Sequence, residues 1–345
     1  MVVVLFGGGT LRCVTRKQCI HIYDDIISVE NLLLAWREFV KGKRQKEDVQ
    51  AFQFHLFENI QTLHFELKNK TYTHGPYHAF NISDPKPRNI HKALVRDRVA
   101  HHALYKILYP FFDRMFISDS YSCRKMKGTH RALTRFESFA YKVSKNNTRT
   151  CWVLKCDIRK FFASIDQNIL MEIVQRHISD LDTVWLIQRV VESFESTGKG
   201  TGLPLGNLTS QLLVNVYMNE FDQFVKQTLK VQYYIRYADD FVFLSEDKRY
   251  LEGLLPWLAQ FLEEKLRLTL HPHKVSLTTL ASGVDFLGWV HFPTHRVLRT
   301  ATKKRMLRNL TSQHDTEKKE AIKTSYVGML GWGNTHDLQK AISSL

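Results

Sequence analysis

Residues 233–244 read Tyr-Tyr-Ile-Arg-Tyr-Ala-Asp-Asp-Phe-Val-Phe-Leu: two runs rich in aromatic and β-branched side chains, with two adjacent acids, Asp239 and Asp240, between them. Such runs pair as strands, and the connection is short, so the segment predicts a hairpin with both carboxylates at its turn. Asp is an ordinary turn residue, and an acidic hairpin tip would look much the same. Two neighbouring negative charges flanked by hydrophobic strands nevertheless repel each other and lose hydration, which a bound divalent cation offsets. Cys151-Trp-Val-Leu-Lys-Cys-Asp157 is a second β-prone run, and it ends on a carboxylate. Asp157 is therefore expected at the tip of a buried strand, with a helix after it. Two-metal phosphoryl transfer needs carboxylates presented rigidly from separate elements, and these two segments supply them.

The remaining periodicity organises the chain around those segments. Leu32, Leu33, Trp36 and Phe39, then Phe52, Leu56, Ile60, Leu63 and Leu67, recur at helical spacing on either side of a basic turn at 41–46. Residues 77–82 alternate like a strand, Asp84-Pro-Lys-Pro87 breaks it, and a helix is expected from about Arg96 to Leu108. Residues 207–225 and 250–267 read as amphipathic helices, and 284–292 as a strand or strand pair. Beyond Arg296 the pattern is basic and helical, with a polar interruption at 311–320. No repeat or linker divides the chain, so lobes of one enzyme are expected rather than separate domains.

Charge narrows the partner class. Lys and Arg number 49 against 34 Asp and Glu, a formal +15. Six of the basic residues lie between Lys86 and Lys106 with only Asp97 among them, and six more lie between Arg296 and Leu310 with no acid. Two basic tracts that far apart suggest a polyanion gripped from two sides. No apolar run approaches the ~20 residues of a membrane span, and Met1–Phe6 lacks the basic start of a secretory signal. The five cysteines form no CxxC pair, which argues against a disulfide framework or zinc site and suits a reducing, cytoplasmic compartment. The pairs His101-His102 and His271-Pro-His273 have no neighbouring acid or thiol at metal-ligand spacing and read as packing or solvent contacts.

Tyr237-Ala-Asp-Asp240 resembles the YxDD box of reverse transcriptases, and the surrounding blocks follow that family's order across roughly residues 28–340. Asp84-Pro-Lys-Pro-Arg-Asn-Ile90 with Arg96-Asp-Arg98 resembles the first block, and Asp119-Ser-Tyr-Ser-Cys-Arg124 with Lys127-Gly-Thr-His130 the second. Lys155-Cys-Asp-Ile-Arg-Lys-Phe-Phe162 resembles the third, and Gly202-Leu-Pro-Leu-Gly-Asn-Leu-Thr-Ser-Gln211 the fourth. Leu270 to Lys274 and Asp285-Phe-Leu-Gly288 resemble the last two. The resemblance implies an α+β right-hand polymerase: an extension at 1–27, mainly fingers at 28–150, palm with fingers insertions at 151–293, and a basic helical thumb at 294–345. It implies two Mg²⁺ ions, replaceable by Mn²⁺, on Asp157, Asp239 and Asp240 with the backbone carbonyl of Ile158. Lys86 and Arg88 would grip the triphosphate, Phe162 would crowd the sugar 2′ position, and Leu205 and Gln211 would line the nucleotide. Phe161 is next to Phe162 and of the same type, so the sugar gate could be either. Lys274 would protonate the leaving pyrophosphate, although a plain helix-end charge reads the same. Phe286, Leu287 and Gly288 would form the primer grip. Arg296, Arg299, Lys303, Lys304, Arg305 and Arg308 would track phosphates without reading sequence.

The fourth block departs from the retroviral and group II intron pattern: Leu205 stands where Gln usually precedes Gly, and Gln211 ends the block. That departure resembles the reverse transcriptases of diversity-generating retroelements. The resemblance implies copying of a template-repeat RNA into cDNA with errors at template adenines, for mutagenic retrohoming. Implied partners are dNTPs, the template RNA and its RNA/cDNA duplex, and a small basic pentameric accessory protein. Three rivals remain: a group II intron protein, which would need a further maturase domain and often an endonuclease domain; an antiphage-defence or unassigned bacterial reverse transcriptase, which shares most of the blocks; and, from another class, a noncatalytic RNA-binding protein on a polymerase scaffold. No acidic cluster in the last 50 residues suggests an RNase H activity. Arg12, Arg16 and Lys17 in the extension are candidate RNA contacts.

Overall fold

The computed structural model describes residues 21–83, 87–196, 198–313 and 315–343. Four helices come first: α1 (Tyr23–Ile27), α2 (Val29–Phe39), α3 (Glu47–Phe54) and α4 (Leu56–Lys68). Ser28 starts α2 by accepting the Asn31 N–H on its side chain, and Leu32, Ala35, Trp36 and Phe39 form its buried stripe. The second expected helix is broken into α3 and α4 at His55, whose φ of −110° and ψ of 36° leave the helical region. A hairpin of β1 (His78–Ile82) and β2 (Arg88–Lys92) leads to α5 (Val95–Asp113) and α6 (Thr129–Val143).

The central sheet has the order β4-β5-β3-β6 and is antiparallel throughout, from β3 (Trp152–Asp157), β4 (Tyr234–Tyr237), β5 (Asp240–Ser245) and β6 (Ser276–Thr279). Between β3 and β4 run α7 (Phe161–Ser164), α8 (Gln167–His177), α9 (Leu181–Glu192) and α10 (Leu208–Gln223), the last closed by a π turn at Phe224–Thr228. The helix α11 (Lys248–Leu266) joins β5 to β6. A second sheet of β7 (Val284–Phe286), β8 (Trp289–His291) and β9 (Arg296–Leu298) precedes α12 (Thr300–Ser312), α13 (Thr316–Leu330) and α14 (His336–Ser343). The basic tract expected to be helical from Arg296 thus begins as a strand, and the polar interruption shortens to the few residues between α12 and α13.

Two cores use the two faces of the central sheet. Leu154, Cys156, Tyr234, Phe241 and Phe243 pack with the N-terminal helices, α8, α10 and α11. Val153, Ile235, Val242 and Leu244 face α6, the second sheet and the C-terminal helices. This alternation is the strand period of two, and it places Asp157 and Asp240 on the second face, where the strands end. Among the described residues no helix is long and apolar enough to cross a membrane.

One buried charge ties the sheet to its surroundings. Arg236 on β4 is fully buried and points at α10, where Asp222, also fully buried, takes its Nε at 2.8 Å and Nη2 at 2.7 Å. The remaining guanidinium hydrogens go to Asn215 Oδ1 at 3.3 Å, Ser120 Oγ at 3.2 Å and the Ala238 carbonyl at 3.2 Å. Burial alone would lower the Arg236 pKa, but the Asp222 carboxylate carries it above its usual value. Its backbone also pairs with the 119–121 segment: Arg236 N–H donates to Asp119 O and Tyr121 N–H to Arg236 O, both at 3.0 Å. Removing one partner strands a buried charge, so Arg236→Met is expected to cost about 3–5 kcal/mol in urea denaturation. Adding Asp222→Leu should recover much of that loss. A cost of the single variant below about 1 kcal/mol would show that the pair does not hold the sheet to α10.

Candidate active site

Tyr237 lies opposite Asp240, so the β4–β5 connection is the two-residue turn Ala238-Asp239, and Asp240 is the first residue of β5. Ala238 has φ +57°, a conformation that costs a non-glycine residue about 1–2 kcal/mol. Three contacts impose it. Arg236 holds the Ala238 carbonyl, Ile158 N–H donates to Asp239 O at 3.2 Å, and the Tyr237 hydroxyl meets Thr129 Oγ1 at 3.1 Å. A strained non-glycine turn so thoroughly tied down is common where geometry serves function.

Asp157 is the direct cross-strand partner of Asp240, which sets two like charges on one face. The β3 tip is fixed by its own backbone: His271 N–H donates to Asp157 O at 2.7 Å and Arg159 N–H to Thr269 O at 2.9 Å. Ile158 is buried and bridges to Leu270. Burial pushes the Asp240 carboxyl up to about 7, with Asp239, Asp157 and Asp285 adding to the rise and Lys155 opposing it. Asp239 is also raised, by burial first and by Asp157, against the positive charges of Lys274 and Arg88.

The charges present are only partly answered. Lys274 Nζ lies 2.9 and 3.0 Å from the two oxygens of Asp157, while Lys155 Nζ is 3.7 Å from Asp240 Oδ2. Asp240 Oδ1 is buried without a hydrogen-bond partner. An orphaned carboxylate oxygen beside two more acids is a donor set that suits a hard divalent cation. Among the described residues no three His, Cys, Asp or Glu side chains are already grouped as ligands, and here the Asp157 oxygens are turned onto Lys274.

Hydrogen bonds tie several of the other expected residues to one another. Phe162 O accepts from Leu203 N–H and Ile165 O from Gly202 N–H, both at 2.8 Å, so the 202–207 loop is fastened to α7. The same loop holds β2: His91 N–H donates to Leu205 O at 3.1 Å, and Asn207 Nδ2 donates to His91 O at 2.9 Å. Gly206 has φ +104°, and a Cβ there would come within 2.9 Å of Ile90 Cγ2, so the strand fits against the loop only over glycine. Arg88, at the start of that strand, is exposed, and Asp239 feels its charge. Phe161 is buried whereas Phe162 is only partly so, its ring edge-on to Phe161 at 5.6 Å; the structure thus separates two residues that sequence could not. Leu205 and Gln211 are half-buried. Lys86 lies outside the described residues, as do Arg12, Arg16 and Lys17.

The expected primer-gripping segment is also a two-residue turn. Phe286 pairs with Trp289 across Leu287, at φ +51°, and Gly288, at φ +88°. Both central residues have positive φ, the backbone of a type I′ hairpin, and Leu is a costly choice at the first. Phe286 itself is buried against Phe136, with ring centroids 5.4 Å apart, so only the turn is presented. Two of the six phosphate-tracking candidates are placed differently from the expectation. Arg296 is buried in β9, paired with Glu137 at 2.6 Å and bonded to the Trp332 carbonyl. Arg299 is paired with Asp285 just ahead of α12. Lys303, Lys304 and Arg308 are exposed on α12 and Arg305 is half-buried, while Thr302, Met306 and Leu310 face inward. Sequence reasoning quoted Lys155, Asp285 and Arg236 within its motifs but gave them no role. For Lys155 a signal existed, since it stands two residues before Asp157 and shares its face.

A family model described as reverse transcriptase (RNA-dependent DNA polymerase) matches residues 83–291, more than half of the chain. The chain is 25% identical over 292 residues to Protein YkfC of Escherichia coli K12, covering 73% of this chain and 74% of that protein. It is 23% identical over 318 residues to the group II intron-encoded protein LtrA of Lactococcus lactis subsp. cremoris, where it spans 72% of this chain but about half, 51%, of LtrA. Among solved structures, apo telomerase from Candida tropicalis, truncated from its C-terminal domain, superposes with a TM-score of 0.50 at 13% identity, over 71% of this chain and 60% of that one. That likeness speaks for the fold alone, the right-hand polymerase arrangement of mixed helices and antiparallel sheet. With its acidic hairpin and β3 tip inside the matched segment, the chain belongs to the reverse transcriptase family of RNA-dependent DNA polymerases.

Proposed function

We propose that the protein copies the template-repeat RNA of a diversity-generating retroelement into cDNA, with errors concentrated at template adenines, for mutagenic retrohoming. The observation that carries the chemistry is the Asp157–Asp240 pair across β3 and β5, with Asp239 in the adjoining turn and Asp240 Oδ1 unpartnered. In this reading Asp157, Asp239, Asp240 and the Ile158 carbonyl hold two Mg²⁺ ions, or Mn²⁺ in their place. When bound, the ions lower the pKa of the primer 3′-hydroxyl and neutralise charge on the triphosphate.

The chain's own side chains then divide the remaining work. Arg88, joined by Lys86, presents a planar fork to the triphosphate. Phe162 closes the space below the sugar, with Phe161 as its buried support. Lys274 exchanges Asp157 for the leaving pyrophosphate and gives it a proton. Leu205 and Gln211 bound the incoming nucleotide, and an aliphatic Leu205 removes a hydrogen bond worth about 1 kcal/mol, or several-fold in discrimination. The Leu287-Gly288 turn holds the primer end, and Lys303, Lys304, Arg305 and Arg308 on α12 follow the duplex backbone. In lobes, residues 28–150 serve mainly as fingers, 151–293 as palm and 294–345 as thumb, with residues 1–27 as an extension. A small basic pentameric protein is the proposed accessory partner and the cytoplasm the proposed compartment.

Primer extension on a defined RNA template, with four dNTPs and Mg²⁺ and with product sequencing, tests the reading. Asp157→Ala and Asp239→Ala are each expected to cut synthesis by at least about a thousandfold, several kcal/mol of transition-state stabilisation, while RNA binding changes little. Retained synthesis would refute the metal-site assignment. Leu205→Gln is expected to lower misincorporation opposite template adenine several-fold. Accurate synthesis by the wild-type protein, or an unchanged error spectrum in the variant, would move the protein to the antiphage-defence or unassigned reverse transcriptases.

A further inference from the structure

The contacts that bind the two functional hairpins together run continuously through three charged residues and the backbone of the β7–β8 hairpin. Lys155 stands two residues before Asp157 on β3, so both side chains leave the same face of the sheet. Its ammonium donates to the backbone carbonyl of Asp285 at 2.6 Å and lies 3.7 Å from Asp240 Oδ2. Asp285 is the residue before Phe286 on β7, and its carboxylate accepts from Arg299 Nε at 2.9 Å and also from Nη2. The Arg299 backbone N–H donates to Gly288 O at 3.1 Å. Arg299 therefore grips the β7–β8 turn on both sides, at Asp285 before it and at Gly288 within it. The turn needs holding, because Leu287 carries a positive φ that a free chain avoids.

We propose that Asp285 and Arg299, acting through Lys155, are positioning residues that set the Leu287-Gly288 turn at a fixed height over the catalytic carboxylates and so place the primer's terminal hydroxyl for attack. The inference rests on the proposed polymerase chemistry and on the primer end lying at that turn. It gives Arg299 a different task from the phosphate contact expected of a basic tract: its charge is spent on Asp285, and a paired guanidinium has little left for the duplex backbone. The Lys155 link carries the register, since one ammonium touches both the catalytic strand pair and the base of the primer-holding hairpin. A misplacement of about 1 Å between reacting groups can cost as much as 10²-fold in rate, so a tie this far from the reacting atoms has leverage.

The test separates placement from binding. Single-turnover nucleotide addition and duplex affinity, the latter by fluorescence anisotropy, are measured for the wild-type protein and for Arg299→Gln, Asp285→Asn, the double variant and Arg299→Lys. Either single variant is expected to slow addition at saturating duplex and dNTP about tenfold or more, with the duplex Kd held within about twofold and its salt dependence unchanged. The double variant should be no slower than the singles, and Arg299→Lys should recover part of the rate. A weaker duplex Kd with a salt slope reduced by about one, and a normal rate at saturation, would make Arg299 a phosphate contact and overturn the proposal. Unchanged rates would overturn it equally, as would a slowed rate that tracks a lowered melting temperature and that Arg299→Lys fails to recover. Absence of Mg²⁺-dependent addition by the wild-type protein would instead bring down the polymerase reading beneath it.

Discussion

Repulsion between Asp157 and Asp240 is the constraint around which the site is organised. Directly opposed acids on adjacent strands destabilise a sheet, and the burial that lifts Asp240 to about 7 adds to the cost. The surrounding structure resists this from every side. Arg236 and Asp222 lock β4 against α10 and hold the Ala238 carbonyl of the turn. Ile158 and His271 fasten the backbone of the β3 tip, and Lys274 and Lys155 bring positive charge to the carboxylates without satisfying Asp240 Oδ1. A fold that keeps three acids together at this expense is suited to receive cations there.

The residues proposed to face the nucleotide come from segments far apart in the chain, and main-chain hydrogen bonds do most of the assembly. The 202–207 loop is the hub: its N–H groups at Gly202 and Leu203 reach the residues after Asp157, and the Leu205 carbonyl accepts from β2. Gly206 lets Ile90 lie directly against that loop. Arg88, Phe162 and Leu205 are thereby held by backbone rather than by flexible side chains. Such placement favours precision in whatever they contact.

Much of this was legible in the sequence because it depends on local pattern. The hairpin at 233–244, the strand ending on Asp157 and the long helices at 208–223 and 248–266 follow from strand and helix periodicity, and the central sheet then pairs Asp157 with Asp240. What escaped depends on tertiary partners. Arg296 and Arg299 look like any members of a basic tract, and only Glu137, Trp332 and Asp285 show that they are engaged inside the protein. Phe161 and Phe162 differ in burial but not in type. The strand at Arg296–Leu298 is three residues long and draws its stability from β8, so no periodic signal marks it. Lys274 could be read as a helix-end charge, yet β3 brings Asp157 to it across more than a hundred residues.

The measurement that bears most directly on the central claim is denaturant unfolding of the wild-type protein and of Asp240→Asn, from pH 5 to pH 8, in EDTA and in Mg²⁺. A carboxyl raised from 3.8 to about 7 on folding binds more protons in the folded state, so stability in EDTA should fall as pH rises through that window. The account predicts that this loss is present in the wild-type protein, is offset by Mg²⁺ near pH 8, and is smaller in Asp240→Asn, which keeps only the contribution of the raised Asp239. Equal pH profiles for the two proteins, with no stabilisation of the wild-type protein by Mg²⁺, would contradict it.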